Sequence, residues 1–237
     1  MAKKKLLQSE VKGIKFYYRP DSSDEKTFLE VVKDDVYQKK GIKIEQGDIW
    51  LDAGGNVGAF TLLACKMGAA KVITYEPDPF SYKILKMNVE LNGFQDRVEI
   101  HNKALVHNDS KQAFLFVGHK NMYWRNSLVK NWNGKGVKVE CVKFEEVVPD
   151  GICAKIDIEG AEMLILENTE KKFKKLVFEW SLDIDGSLNR LRDLITNKVD
   201  PYYTYDTDNN NLIERADDFV PKNVIKKAIN IYCNEKD

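Results

Sequence analysis

Residues 52 to 58 read Asp52-Ala53-Gly54-Gly55-Asn56-Val57-Gly58, and Glu76 follows 18 residues after Gly58 in the stretch Thr-Tyr-Glu-Pro-Asp. Glycines at such a turn permit a sharp change of direction and close backbone approach to a ligand. A carboxylate closing the next strand can accept both hydroxyl hydrogens of a ribose. Together they predict an adenosine-type cofactor at the strand ends of a parallel sheet. The glycine order narrows the choice. A dinucleotide turn reads G-x-G-x-x-G, and this chain has Ala53 where that first glycine would stand. An acid leading the turn would repel a pyrophosphate held at the helix N-terminus. It suits a ligand that carries an ammonium and a sulfonium, as S-adenosylmethionine does.

A second group of chemically capable residues lies at Lys155-Ile156-Asp157-Ile158-Glu159-Gly160-Ala161-Glu162. Period-two geometry sets Lys155, Asp157 and Glu159 on one side, at the end of an apolar strand. One strand later Glu179 precedes Trp180 at the equivalent edge. Acids converging on one cleft demand a counter-charge, for which Lys155, a sulfonium and a divalent metal are the candidates. Asp157 and Glu159 are candidate bases for activating a hydroxyl, and Asp157 with Glu179 are candidate ligands for Mg²⁺ or Mn²⁺. Glu162 reads equally well as a helix-start acid. His101, His107 and His119 fall in separate segments and form no metal cluster. Tyr123-Trp124-Arg125-Asn126 and Trp132-Asn133 sit in a stretch at 118–136 that reads as a loop. Tyr123, Trp124, Arg125 and Trp180 are the candidate acceptor contacts, since rings stack on sugar faces and amides or guanidinium bond hydroxyls. Packing on the domain surface accounts for the same residues.

The elements that must position these groups alternate along the chain. Apolar runs predict strands at 49–52, 71–75, 97–101, 112–117, 137–142, 152–157, 176–179, 202–205 and 229–233. Helices are expected from about residue 57, at 79–92, around 161–166 and near 187–197. Asp78-Pro79 starts one in the favoured way, and Asn92-Gly93 ends it. The alternation predicts an α/β fold, a doubly wound and mostly parallel sheet with ligands at its carboxyl edge. Residues 1–45 form a front element before a catalytic core over 46–237, all in one domain. Within it, 13–18 reads as a strand or half of a hairpin. Phe28, Val31, Val32 and Val36 mark one face of a helix over Asp24 to Lys39, capped by Ser23 or Asp24.

With these residues in view, the chain resembles the FkbM-type S-adenosylmethionine-dependent methyltransferases. The likeness rests on Leu51 to Gly58, on Tyr75-Glu-Pro-Asp-Pro with Asn88 downstream, and on Ala154-Lys-Ile-Asp-Ile-Glu-Gly-Ala-Glu, and it spans roughly residues 45 to 182. It implies a seven-stranded class I methyltransferase sheet and methylation of hydroxyl oxygens, often on sugars. It further implies that Asp52, Gly54, Gly55, Asn56 and Gly58 hold the methionine part, Glu76 and Pro77 the ribose, and Asn102 to Ala104 the adenine. Gly55 departs from the alanine more common in the family, which implies a looser turn.

The composition bounds the alternatives. At 237 residues and 43% hydrophobic content the chain can bury a full core. Lys plus Arg equals Asp plus Glu at 37 each, so no net field draws in a polyanion and a nucleic-acid partner is disfavoured. Cys65, Cys141, Cys153 and Cys233 form no C-x-x-C pair, which together with the absence of a membrane-length apolar run or secretory leader predicts a soluble cytoplasmic protein. The leading reading is an O-methyltransferase of a sugar or glycan. Its rivals are a non-sugar acceptor, an RNA or protein methyltransferase, an NAD-binding oxidoreductase and a non-catalytic cofactor-binding module. The oligomeric state leaves no mark on the sequence.

Overall fold

A computed structural model of the protein describes residues 5–118, 125–131, 135–181, 184, 187–199, 202–207 and 228–236. Strands β1 (Leu7–Val11) and β2 (Ile14–Tyr18) pair as an antiparallel hairpin, followed by helix α1 (Asp24–Val32). Then β3 (Ile49–Ala53), α2 (Ala59–Lys66), β4 (Lys71–Tyr75), α3 (Pro79–Leu91) and β5 (Val98–His101) wind in one direction. A side sheet of β6 (Ala104–Val106), β7 (Gln112–Phe116) and β8 (Gly136–Lys143) leads through the short α4 (Phe144–Val147). The chain then builds β9 (Ile152–Ile156), α5 (Glu162–Asn168), β10 (Phe173–Ser181) and α6 (Leu188–Leu194), which runs on as a π-helical turn, Ile195–Val199. Strands β11 (Tyr203–Thr207) and β12 (Ala228–Glu235) complete it.

The main sheet has seven strands in the order β11-β12-β10-β9-β3-β4-β5. All neighbours are parallel except β12, which runs against both β10 and β11. From β3 the chain proceeds outward through β4 and β5, and then returns to place β9 on the other side of β3. This reversal opens the crevice in which open α/β sheets bind ligands.

Period-two alternation divides the strands between two cores. Leu51, Ala53, Ile156, Phe178 and Trp180 face one. Trp50, Val72, Cys153 and Val177 face the other, where Phe16, Phe28, Val32 and Tyr37 of the N-terminal element cover them. Asn88 of α3 docks that element: its side chain accepts from Tyr17 N at 2.6 Å and donates to Tyr17 O at 3.0 Å and Val57 O at 2.8 Å. Helix α1 is shorter than the sequence suggests, ending at Val32, and Asp35 soon after has the left-handed φ of 60°. Neither Ser23 nor Asp24 caps it through a side chain, because the Asp24 carboxylate is engaged bidentately by Arg19 at 2.7 and 2.8 Å. Among the described residues, no helix is long and apolar enough to cross a membrane.

Candidate active site

The turn after β3 is where three strand ends meet. Gly54 N and Gly55 N both donate to Tyr75 O, at 3.0 and 3.1 Å, and Asp157 N donates to Ala53 O at 3.1 Å. Gly54 has φ +84°, and a Cβ there would collide with the Asp157 carbonyl oxygen. Only glycine meets both demands. Gly58, at φ +100°, turns the chain into α2. Gly55 does not loosen the turn as its departure from alanine implies. A Cβ at Gly55 would strike Thr74 Cγ2 and Leu85 Cδ1, so the glycine is close-packed.

Asp52 requires a correction. The sequence sets it against the cofactor, but it is fully buried beneath the turn and does not line the cavity. Strand register explains this: Asp52 lies level with Lys155 on β9 and Thr74 on β4, giving one polar row across the sheet. Lys155 Nζ stands 3.1 Å from Asp52 Oδ1, and Thr61 Oγ1 donates to Oδ2 at 2.6 Å. The negative charge that seemed addressed to a sulfonium is neutralised inside the sheet. Lys155 also donates to Ala53 O and Gly54 O at 3.1 and 2.8 Å, fixing the turn's carbonyls. Burial opposes its charge, but Asp52 and Asp157 prevail and hold its pKa above the ordinary lysine value. Lys155 is therefore a fixed cation and no proton acceptor.

Glu76 stands at the end of β4 as expected. Its Oε2 accepts from Asn56 N and its Oε1 from Asp78 N, both at 2.7 Å. Burial first, and then Asp78, raise its pKa to about 7, against the pull of those two backbone donors and Arg19. Pro77, Lys103 and Ala104 line the same cavity. Asn102 does not. Its amide instead bonds the carbonyls of Glu76 and Pro77, at 2.8 and 3.1 Å, and holds the strand end from behind.

Asp157, Glu159 and Glu179 converge at the other end, each offering an oxygen within 4.8 Å of the others. β9 ends at Ile156, so strand alternation does not place Glu159; a left-handed residue, φ 56°, does. Ser127 braces that backbone by donating to Glu159 O at 2.5 Å. Burial, then Asp157 and Glu179, push Glu159 well above the usual carboxylate range, with Arg125 opposing. Burial, then Asp157 and Glu162, do the same to Glu179, against Ser181 and Lys155. Glu162 itself bonds Ile158 N and Gly160 N at 2.5 and 2.7 Å, the helix-start role.

Trp180 is the second correction. It is 1% exposed and packed in the core with Phe178, while Glu179 and Ser181 line the cavity. Adjacent strand residues point to opposite faces, so Glu179 and Trp180 cannot share one site. Arg125 and Asn126 line the cavity; Tyr123, Trp124, Trp132 and Asn133 lie outside the described residues.

Sequence reasoning missed Tyr37. It follows α1, is 9% exposed, and donates its hydroxyl hydrogen to Asp157 Oδ2. Its one signal was an aromatic residue next to Val36 on a helix face read as core. The cavity that joins Tyr37, the glycine turn, Glu76 and the three carboxylates has a volume of about 610 Å³, the size of a cofactor-plus-substrate site. On its wall the buried atoms Asn56 Oδ1 and Ser23 Oγ make no hydrogen bond with a described residue. With the carboxylate of Glu76, they fit the donors of a nucleoside bearing an amino acid. The all-oxygen set at Asp157, Glu159 and Glu179 fits a hard divalent cation.

A family model described as methyltransferase FkbM domain matches residues 52–205. The 31-O-demethyl-FK506 methyltransferase FkbM of Streptomyces tacrolimicus is 24% identical over 204 residues, covering 71% of this chain and 78% of that protein. The ribosomal protein L11 methyltransferase of Bacillus cereus is 35% identical over 63 residues, which is 27% of this chain and only 20% of that enzyme's length. Among solved structures, a methyltransferase FkbM from Methylobacillus flagellatus aligns with TM-score 0.52 and 14% identity, covering 83% of this chain and 46% of that one. A Pyrococcus abyssi tRNA (uracil-54, C5)-methyltransferase bound to S-adenosyl-L-homocysteine aligns with TM-score 0.51 and 13% identity, covering 100% of this chain and 45% of that one. This chain thus spans less than half of either solved protein, and these two likenesses speak to the fold.

Proposed function

The chain belongs to the FkbM methyltransferase family and is an S-adenosylmethionine-dependent methyltransferase, and on that premise we propose that it methylates a hydroxyl oxygen of a sugar or glycan with help from a carboxylate or a divalent cation. The observation that carries this reading is the trio Asp157, Glu159 and Glu179 on the wall of the cofactor cavity.

S-adenosylmethionine, when bound, supplies a methyl group on a positively charged sulfur that an oxygen lone pair displaces in line. In this reading Glu76 takes the ribose hydroxyls, and the glycine turn with Asn56 receives the amino-acid portion. The apolar flank of Phe60, Val31 and Val36 excludes water from that end. An alcohol stays protonated at neutral pH, so the acceptor proton needs a base. Asp157 is the candidate, taking the proton as the oxygen forms its bond to carbon. Alternatively, Mg²⁺ or Mn²⁺ held by Asp157, Glu159 and Glu179 would lower the hydroxyl's pKa and satisfy the like charges, and the proton would then pass to water. Arg125 and Asn126 supply hydrogen-bond donors at the rim, as a polyhydroxyl acceptor requires. A non-sugar alcohol is the second reading, favoured by the relative whose name assigns it an O-demethyl-FK506 substrate.

The test offers radiolabelled S-adenosylmethionine with methyl glycosides, oligosaccharides, polyketide alcohols, oligonucleotides and peptides, each with Mn²⁺ or with chelator. Label in glycosides that is lost on chelation is expected. Label only in RNA or peptide would end the hydroxyl reading, chelator-indifferent turnover its metal component, and an active Asp157→Ala variant both.

A further inference from the structure

Tyr37 is the one N-terminal residue whose polar atom is bonded to the carboxylate trio among the described residues, and nothing in the chemistry above uses it. Its setting is rigid. The ring packs edge-on against Phe60 at 5.7 Å, and Lys155 Nζ lies 5.4 Å from its centroid. On one side, Tyr232 donates its hydroxyl to Val36 O at 2.6 Å. On the other, the Gln38 amide bonds Asp35 at 2.6 Å and Ile44 N at 2.8 Å. So fixed, the hydroxyl donates to Asp157 Oδ2, its one partner among the described residues. Oδ1 receives no hydrogen bond from a described residue.

We propose that Tyr37 is a positioning residue: its hydroxyl fixes the Asp157 carboxylate, leaving one oxygen for the cavity, and so makes the N-terminal element part of the acceptor site. The proposal rests on the reading of Asp157 as an acceptor-side carboxylate. Burial and the charges of Asp157 and Glu179 keep the phenol protonated, so it acts as a donor and is not itself the base. Tyr37 thereby reaches Asp157 from 120 residues away in sequence, while Lys155 Nζ pairs with Asp52 and adds only the influence of its charge at Asp157.

The experiment compares the whole chain with Tyr37→Phe, Asp157→Asn and the double variant. Mn²⁺ affinity is read by electron paramagnetic resonance and S-adenosylhomocysteine affinity by calorimetry. The phenylalanine keeps the ring packing, so homocysteine-adduct affinity is expected to stay within about twofold, which also verifies the fold. Removing a hydrogen bond that orients a metal-binding carboxylate is expected to weaken Mn²⁺ by ~10–100-fold. In the Asp157→Asn background the same change should add less than about twofold, because the two residues act as a unit. Unchanged Mn²⁺ affinity in Tyr37→Phe, or losses that multiply in the double variant, would overturn the proposal. If the wild-type chain binds no Mn²⁺, the metal component of the function fails by itself and amide hydrogen exchange decides. Faster exchange at 155–160 as well as at 33–44 in Tyr37→Phe supports the positioning role; an unaltered 155–160 segment sinks it.

Discussion

At the β3–β4 end of the cavity each charge meets a partner supplied by the chain: Asp52 has Lys155 and Thr61, and Glu76 has two backbone N–H groups. At the β9–β10 end three carboxylates approach one another, while the nearest cations, Lys155 and Arg125, only partly offset them. The first end is organised before any ligand arrives. The second holds an electrostatic cost that protons or a cation must relieve. A methyl donor that always has the same shape suits the first arrangement, and an acceptor whose proton must leave suits the second.

The comparison breaks most sharply at Lys155. Lys155→Met removes one partner of a buried pair and leaves Asp52 charged beneath the turn, with the carbonyls of Ala53 and Gly54 losing their donor. A loss of about 3–5 kcal/mol is expected, since an unpaired buried charge costs more than the pair contributes. Urea unfolding measures it. A variant as stable as wild type would show that the cofactor end is not charge-balanced after all.

Glu179→Gln probes the opposite end and should have the opposite sign. Glu179 is held well above the usual carboxylate range, first by burial and then by Asp157 and Glu162. An acid with a raised folded-state pKa adds stability below the ordinary carboxylate range and loses it as pH rises through the raised value. Above neutrality the metal-free variant is therefore expected to be more stable than wild type, by on the order of 1 kcal/mol. Adding Mn²⁺ should reverse the order, because only the intact trio gains stability from the ion. Thermal unfolding at alkaline pH, with and without Mn²⁺, reads both signs. A variant destabilised in the absence of metal would mean that the trio carries no repulsion.

These two ends also differ in how far the sequence reveals them. The β3–β4 end is local: a strand, a turn and a helix in succession, with Glu76 following the next strand, so glycine spacing and apolar runs suffice. Even there the role of Asp52 depends on the register of β9 against β3, about which a turn motif says nothing. The β9–β10 end is assembled from distant pieces. Asp157 is legible because it directly follows an apolar strand and Glu179 because it lies near the end of another, yet Trp180 shows how a neighbour can be misassigned when face alternation is ignored. Glu159 reaches the site through a left-handed turn, for which a non-glycine residue gives no warning. Tyr37 is joined to Asp157 by tertiary packing alone, and no periodicity within its own segment marks it.

The smallest expected effect separates the ends by pH. With its pKa raised to about 7, Glu76 is partly protonated in the free chain at neutral pH. Its contribution to stability is complete below the ordinary carboxylate range and is lost as pH rises through about 7. Ribose hydroxyls donate to the ionised form, so binding of S-adenosylhomocysteine must release a proton wherever Glu76 still holds one. Affinity is thus expected to rise by at most about tenfold per pH unit below that value and to level off above it. Calorimetry in buffers of differing ionisation enthalpy counts the proton. Glu76→Gln should abolish the release while costing ~10-fold or more in affinity, because a charged acceptor is replaced by a neutral one. A pH dependence surviving in that variant points to Glu159 and Glu179, both held above the usual carboxylate range. A release of the same size in Glu76→Gln would move the proton, and with it the polarity of the whole cavity, to the acceptor end.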